Sequence, residues 1–334
     1  MKYLQGRKEF DLILREREIP VPVHNQVLVR VLACGICGTD LHFLRKKEEY
    51  TPLGHEISAL VTAVGESVTK VSAGEMVVVE DLSACGVCTS CKNGESHLCR
   101  NMTGLEGQSG MGEYLLVHEN NLVPCQGLTA EQATFVEPSA VALTACLAAE
   151  IRDDSGLVIW GMGPIALLCV AIGKYFHAKE IVCVGGRKGT RRNQRREEAA
   201  LALGADRVCY FGEESLREKL PKETRSAIVT SPPATLSQAV LTAGYGGIIV
   251  PLGVAIDGDA KAEIDVDDLI FHKKKIVSVL AEPARYFPRC MELIRTGVIP
   301  TEKLLTHRIS LTDPERFRQV FTKDEETIKA IIVN

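Results

Sequence analysis

The chain lacks the features that would assign it to nucleic acid, membrane or secretion. Its 39 Lys+Arg against 43 Asp+Glu leave a formal net charge of −4. No broad positive field is therefore available for phosphate backbones or anionic lipid surfaces. The N-terminal "MKYLQGRKEF" carries charges where a secretion signal has its apolar stretch, so export is not expected and the protein is expected to be cytoplasmic. No low-complexity tract interrupts a composition that is 46% hydrophobic and 25% charged, as in ordinary globular proteins. An unbroken apolar span is missing too. "GLVIWGMGPIALLCVAIG" (156–173) has no charge, but Gly161, Gly163 and Pro164 interrupt it. It reads as strand, tight turn and buried helix rather than as a membrane crossing. With 334 residues the chain exceeds one ordinary core, which predicts two domains.

Cysteine, by contrast, is plentiful, with twelve in the chain. A reducing compartment excludes a disulfide framework. Four of them fall in "CGVCTSCKNGESHLC" (85–99), where Cys85, Cys88, Cys91 and Cys99 are spaced C-x2-C-x2-C-x7-C. Thiolates at these intervals can wrap one tetrahedral zinc, with Zn–S distances of about 2.3 Å. A redox pair would be an isolated C-x-x-C. Four sulfurs complete the coordination, so the site is closed and structural, and His97 is surplus to it. His24, His118, His177, His272 and His307, and Cys125, Cys146, Cys169, Cys183, Cys209 and Cys290, have no ligand-spaced partner and are assigned to surface or core.

A second set of ligands is dispersed over "CGICGTDLH" (34–42), "GHE" (54–56) and "FVEPSAVALTA" (135–145). Cys37, His55 and a carboxylate from Glu56 or Glu137 make a mixed sulfur, nitrogen and oxygen set of three. Three protein ligands leave a fourth position for water or substrate, the condition for Lewis-acid catalysis.

The stretch 155–192 has βαβ grammar: an apolar strand, a glycine turn, an apolar helix and a second strand, "EIVCV" (180–184). Gly161 permits the tight turn, and Gly163 lets a pyrophosphate approach the helix N-terminus formed by Pro164 and Ile165. Ala166 takes the third small position. An NAD-specific fold ends its second strand with an acid for the ribose hydroxyls, about 20 residues after the glycine turn. Here that place falls on Gly185, and "RKGTRRNQRR" (187–196) follows with six basic residues in ten. A missing acid and an arriving arginine together predict NADP(H) over NAD(H). Arg187 is the expected 2′-phosphate ligand, because a guanidinium matches phosphate geometry, and Arg191 and Arg192 are supporting candidates.

The order "CGICGTDLH … GHE … C-x2-C-x2-C-x7-C … EP … GxGPI" resembles the zinc-dependent medium-chain alcohol dehydrogenases, from Val27 to "LLTHRISL" (304–311) and "TIKAIIVN" (327–334). "VEP" at 136–138 is similar to their polyol (sorbitol-type) branch, where a glutamate replaces a cysteine ligand. The resemblance implies an α/β protein, with a GroES-like β-rich catalytic domain and a doubly wound parallel Rossmann domain. It implies two Zn²⁺ per chain, one catalytic and one structural. Cys37 and His55 would be ligands of the catalytic zinc, with Glu56 and Glu137 unranked between ligand and water-mediated roles. Thr39 would hydrogen-bond the alcohol oxygen, and His42 would complete a proton relay to solvent. A homodimer or homotetramer is implied as well.

"RSAIVTSPPATLSQAV" (225–240) and "GGIIVPLG" (246–253) read as further strand–helix units, and "KKIVSVL" (274–280) as the last strand of the sheet. The domains are then expected at 1–146 plus 283–334 and at 147–282, with the active site between them. Three stretches depart from the family pattern: the short segment between Cys37 and "GHE", "TSPPA" (230–234) and "LAEPAR" (280–285). The expected activity is hydride transfer between NADP(H) and a polyol, sugar or related secondary alcohol or ketone, with no nucleic-acid or membrane partner. The alternatives are an NADPH-dependent aldehyde reductase, a secondary-metabolite dehydrogenase, and a catalytically silent NADP(H)-binding protein.

Overall fold

The computed structural model describes residues 1–214, 216–255, 260–280 and 285–334. Its contacts divide the chain into two compact units. One comprises Met1–Ala140, Ala281–Gly297 and Leu305–Asn334, and the other Val141–Leu280 and Val298–Leu304. The seam lies inside the helix Val136–Ala148, as does the expected boundary at 146. The expected return near residue 283 lies outside the described residues.

The first unit is built on a seven-stranded sheet around the ten-residue strand Gln26–Gly35. That strand pairs antiparallel with Glu56–Val64 along one edge. Its other edge is shared, with Tyr114–His118 against residues 26–30 and Lys329–Val333 against residues 33–35. Alternate β-branched residues turn inward: Val27, Val29 and Val31 meet Ile57, Ala59 and Val61 in the same buried cluster. The C-terminal strand thus closes against the segment that leads into Cys37. A three-stranded sheet of Lys2–Arg7, Asp11–Glu16 and Thr51–Pro52 accompanies it. The cysteine-rich loop lies between the strands Met76–Val79 and Tyr114–His118.

The second unit contains a six-stranded sheet that is parallel throughout. In space the strands run Arg207–Tyr210, Glu180–Gly185, Gly156–Trp160, Thr224–Val229, Ile248–Pro251 and Lys275–Ile276. In chain order this is 3-2-1-4-5-6, the doubly wound Rossmann arrangement. Every residue of Gly156–Trp160 is buried, as in a strand covered on both faces. The helix Pro164–Tyr175 follows, its residues 166–173 all buried. The charge-free run of 156–173 is therefore a strand and a core helix. Among the described residues no helix is long and apolar enough to cross a membrane. The expected strand 274–280 is reduced to Lys275–Ile276 on the sheet's edge. Among the described residues it pairs with one neighbour, Ile248–Pro251, through the hydrogen bonds from Lys275 N to Gly247 O and from Val277 N to Ile249 O.

Candidate active site

Cys37 is placed by the turn before the helix Gly38–Lys46, for which it is the N-cap residue. Asp40, 1% exposed, reaches back to that turn. Its Oδ2 accepts the Cys37 N–H at 2.9 Å and its Oδ1 accepts the Gly54 N–H at 2.8 Å. One carboxylate therefore ties the Cys37 turn to the residue before His55. Gly54 sits at φ +87°, and a Cβ there would press on Cys34 and Met111. Only glycine satisfies both demands. Glu56 opens the strand Glu56–Val64 opposite Gly35, and a Cβ at Gly35 would collide with the Glu56 carboxylate. The two glycines of "CGIC" and "GHE" make room for the second ligand set.

Ligand atoms of Cys37, His55 and Glu56 lie within 4.8 Å of one another. Thr39 Oγ1 is 3.8 Å from Cys37 Sγ, and His42 stands one turn further along the same helix. Glu137 is buried on the first turn of Val136–Ala148. It is not part of the close cluster, although its charge acts on His55 and on Lys329. Burial works against a charged His55 imidazole, yet Cys37, Asp40 and Glu137 outweigh it and hold the pKa well above the ordinary histidine value. The surroundings thus favour positive charge.

Lys329 was not singled out by motif, and it proves central. It is buried with Glu56, the two side chains being 2% and 1% exposed. Its Nζ donates to Glu56 Oε1 at 2.5 Å and to the Ile36 carbonyl at 3.1 Å. Glu56 Oε2 also lies beside the ammonium but accepts no well-directed hydrogen bond. Burial opposes the lysine's charge, but Glu56, Cys37 and Glu137 more than offset it and raise its pKa. Glu56, Glu137 and the Cys37 sulfur thus act on the buried Lys329 ammonium. A soft sulfur, an imidazole and an oxygen within bonding reach of one point fit a zinc ion and leave room for one more ligand.

The four-cysteine loop fits a closed site. Cys88 Sγ lies 3.5 Å from Cys91 Sγ and 3.9 Å from Cys99 Sγ, and Cys99 Sγ lies 3.6 Å from Cys85 Sγ. The edge of a sulfur tetrahedron around zinc is about 3.8 Å, given Zn–S bonds of about 2.3 Å. A disulfide would need about 2.05 Å, and all twelve cysteines are free. The N–H groups of Val87 and Cys88 pull the Cys85 thiol down to about 6, toward the thiolate that binds metal. His97 lies on the short 3₁₀ turn Ser96–Leu98, outside the sulfur cluster.

In the second unit Gly161 has φ +128°, and a Cβ would strike Thr230. Gly163 is the N-cap of Pro164–Tyr175, with Pro164 in the first turn. Its added Cβ would meet nothing within 4 Å, so the helix N-terminus presents an open cradle suited to a diphosphate. Ile165 is partly buried and Ala166 fully buried behind it. The departing "TSPP" turn is tied to the strand before the glycines, since Thr230 N and Ser231 N both donate to the Trp160 carbonyl. A hollow of about 300 Å³ lies beside this turn, lined by Trp160, Gly185, Gly186, Arg187, Phe211 and Pro232 among others. A larger hollow of about 520 Å³, near Arg217 and His272, contains none of the glycine-turn residues. Of the basic run, Arg187 reaches the 300 Å³ hollow. Arg191 is 3.6 Å from Glu198, which also takes Arg195 at 3.5 Å; Arg192 is partly buried on the same helix.

The description "Alcohol dehydrogenase GroES-like domain" matches residues 23–127. The chain is 28% identical to an Escherichia coli K12 protein named L-galactonate-5-dehydrogenase, covering 99% of this chain and 98% of that one. It is 29% identical to a Bacillus subtilis protein named sorbitol dehydrogenase, covering 88% and 86%. Among solved structures, an E. coli CFT073 protein described as a short chain alcohol dehydrogenase, complexed with NADH, superposes with TM-score 0.87 at 26% identity. The match covers 100% of this chain and 99% of that one. A Sinorhizobium meliloti 1021 chain assigned as a zinc-binding dehydrogenase, bound to NADP, gives the same four figures.

Replacing Lys329 with methionine strands the Glu56 carboxylate in the interior. The expected loss is about 3–5 kcal/mol of unfolding free energy, read by denaturant titration, and Lys329→Met/Glu56→Gln should recover much of it. Cys85→Ser should remove one zinc and lower the melting temperature. Cys37→Ser should remove the other with a smaller thermal penalty, as metal analysis and calorimetry would register.

Proposed function

Taking as premise that the chain belongs to the zinc-dependent medium-chain alcohol dehydrogenases, with polyol dehydrogenases among its relatives, we propose that it interconverts a polyol or sugar-derived secondary alcohol and its ketone with NADP(H). The observation that carries this reading is the open cluster of Cys37, His55 and Glu56 beside Thr39, separate from the closed four-sulfur loop. A silent scaffold would have no use for the first site. The polyol class is supported by the names of the relatives and by glutamate at 137 in "VEP".

Cys37, His55 and Glu56 would hold a catalytic zinc, with Glu137 behind them, and Cys85, Cys88, Cys91 and Cys99 a structural one. We place these sites in residues 1–146 and 283–334, and dinucleotide binding in 147–282. When bound, zinc would polarise the substrate oxygen and the dinucleotide would carry the hydride. Asp40 keeps the Cys37 and His55 turns at fixed separation, so the site needs little reorganisation when substrate enters. The Thr39 hydroxyl would hold the proton of the reacting oxygen. His42, one turn along, would exchange that proton with solvent, a task for which an imidazole is chemically suited.

NADP(H) is preferred in this reading because Gly185 offers no carboxylate and Arg187 stands at the hollow beside it. The paired state of Arg191 makes it a secondary contributor, with Arg192. A homodimer or homotetramer is supported by the edge strand Lys275–Ile276, around which Ile270, Phe271 and Leu280 are each more than 60% exposed. An edge that is unpaired among the described residues, with apolar neighbours, favours covering by another chain.

Initial rates on polyols, simple secondary alcohols and aldehydes, each with NADP⁺/NADPH and NAD⁺/NADH, test the proposal. Polyol turnover with NADP⁺ is expected. Turnover of simple aldehydes alone would favour the reductase alternative, and none with full zinc occupancy would favour a pathway-specific substrate or the silent scaffold. Arg187→Ala should weaken NADP⁺ at least tenfold while changing NAD⁺ less than twofold. The quenching of Trp160, which lines the hollow, provides the binding signal.

A further inference from the structure

We propose that Met162, the middle residue of the Gly161–Met162–Gly163 turn, is a specificity-determining residue, because it fills the room that an acidic side chain at position 185 would need. This deepens the NADP(H) reading above and rests on it.

The inference starts from the end of the strand Glu180–Gly185. A Cβ added to Gly185 would run into the Met162 methyl, and would lie 3.1 Å from Met162 Sδ and 3.2 Å from Tyr210 Cε1. A methionine end in solvent can swing aside, but Met162 is buried, only 4% exposed. The Tyr210 ring is fixed as well. It is 3% exposed, and its hydroxyl donates to Glu197 on the helix Arg191–Leu203. The obstruction is local, for a Cβ at Gly186 would meet nothing within 4 Å.

The consequence concerns the ribose end of the dinucleotide. A carboxylate that selects the unphosphorylated ribose is carried at the end of the second strand. In this chain that place is sterically claimed from the glycine turn, so the acid is excluded together with its repulsion of a 2′-phosphate. Arg187 then lines the hollow two residues later. Met162 and Gly185 therefore form a complementary pair, and changing one alone produces a clash or a void.

The test is a double-variant cycle with two readouts. Gly185→Ala should lower the melting temperature of the apoprotein, and Met162→Ala/Gly185→Ala should regain more than half of that loss. Dinucleotide affinity is then read by Trp160 fluorescence. Gly185→Asp should lose NADP⁺ by at least tenfold without gaining NAD⁺. Met162→Ala/Gly185→Asp should bind NAD⁺ at least tenfold more tightly than the single variant. Gly185→Ala as stable as the parent, or Gly185→Asp alone binding NAD⁺ tightly, would overturn the role of Met162. A parent protein that prefers NAD⁺ would instead sink the NADP(H) reading, whatever the coupling of the two residues.

Discussion

A buried carboxylate set beside a cysteine sulfur is the constraint on which the first unit depends. Glu56 is 1% exposed and shares its surroundings with Cys37 and Asp40. Left alone, such a group would be neutralised or would unfold its neighbourhood. Lys329 answers it from the C-terminal strand, 273 residues away in sequence. That strand pairs with residues 33–35, which lead directly into Cys37. The pairing of chain ends is thus coupled to the electrostatics of the site. A buried ion pair adds little net stability over a well-packed apolar one, but breaking it costs several kcal/mol. Here the pair compensates a buried carboxylate that lies next to the Cys37 sulfur.

The two clusters differ in a way that sorts their roles. Four sulfurs lie within 4.8 Å of one another, three of their separations being 3.5–3.9 Å, and together they make a complete tetrahedral set. Cys37, His55 and Glu56 surround a point on three sides and have Thr39 at their margin. A closed tetrad contributes folding energy, whereas an open triad can do chemistry. The same division appears around the glycine turn, where Gly161 is crowded by Thr230 and Gly163 faces open space. One glycine serves the chain's own packing and the other leaves room for a ligand.

Much of this was legible in the sequence, because ligands brought together by a short loop leave their spacing in the text. The cysteine tetrad, the Cys37 turn, "GHE" and the glycine turn are all of that kind. The parallel sheet followed from the alternation of apolar strands with helices, whereas its 3-2-1-4-5-6 order is a finding of the fold. What was not legible depends on distant pairing. Nothing near Glu56 announces Lys329, although a lysine inside the apolar run "KAIIV" was a signal, since a charge in a buried strand needs a partner. Glu56 and Glu137 could not be ranked by motif; the fold brings Glu56 into the close cluster and leaves Glu137 acting through its charge. The last strand was read as seven residues and forms as two, because an apolar pattern does not reveal that the strand lies at the sheet's edge, with one neighbour among the described residues. Gly185 was noted for the acid it lacks, whereas the Met162 side chain that claims its space is a tertiary fact.

The most direct measurement is metal content followed together with polyol oxidation rate and thermal stability during gradual chelation. The account predicts two zincs per chain, activity lost with the first zinc removed, and a fold that persists until the second is stripped. A single zinc per chain, or activity that survives the first loss and disappears only on unfolding, would contradict the division into an open catalytic centre and a closed structural one.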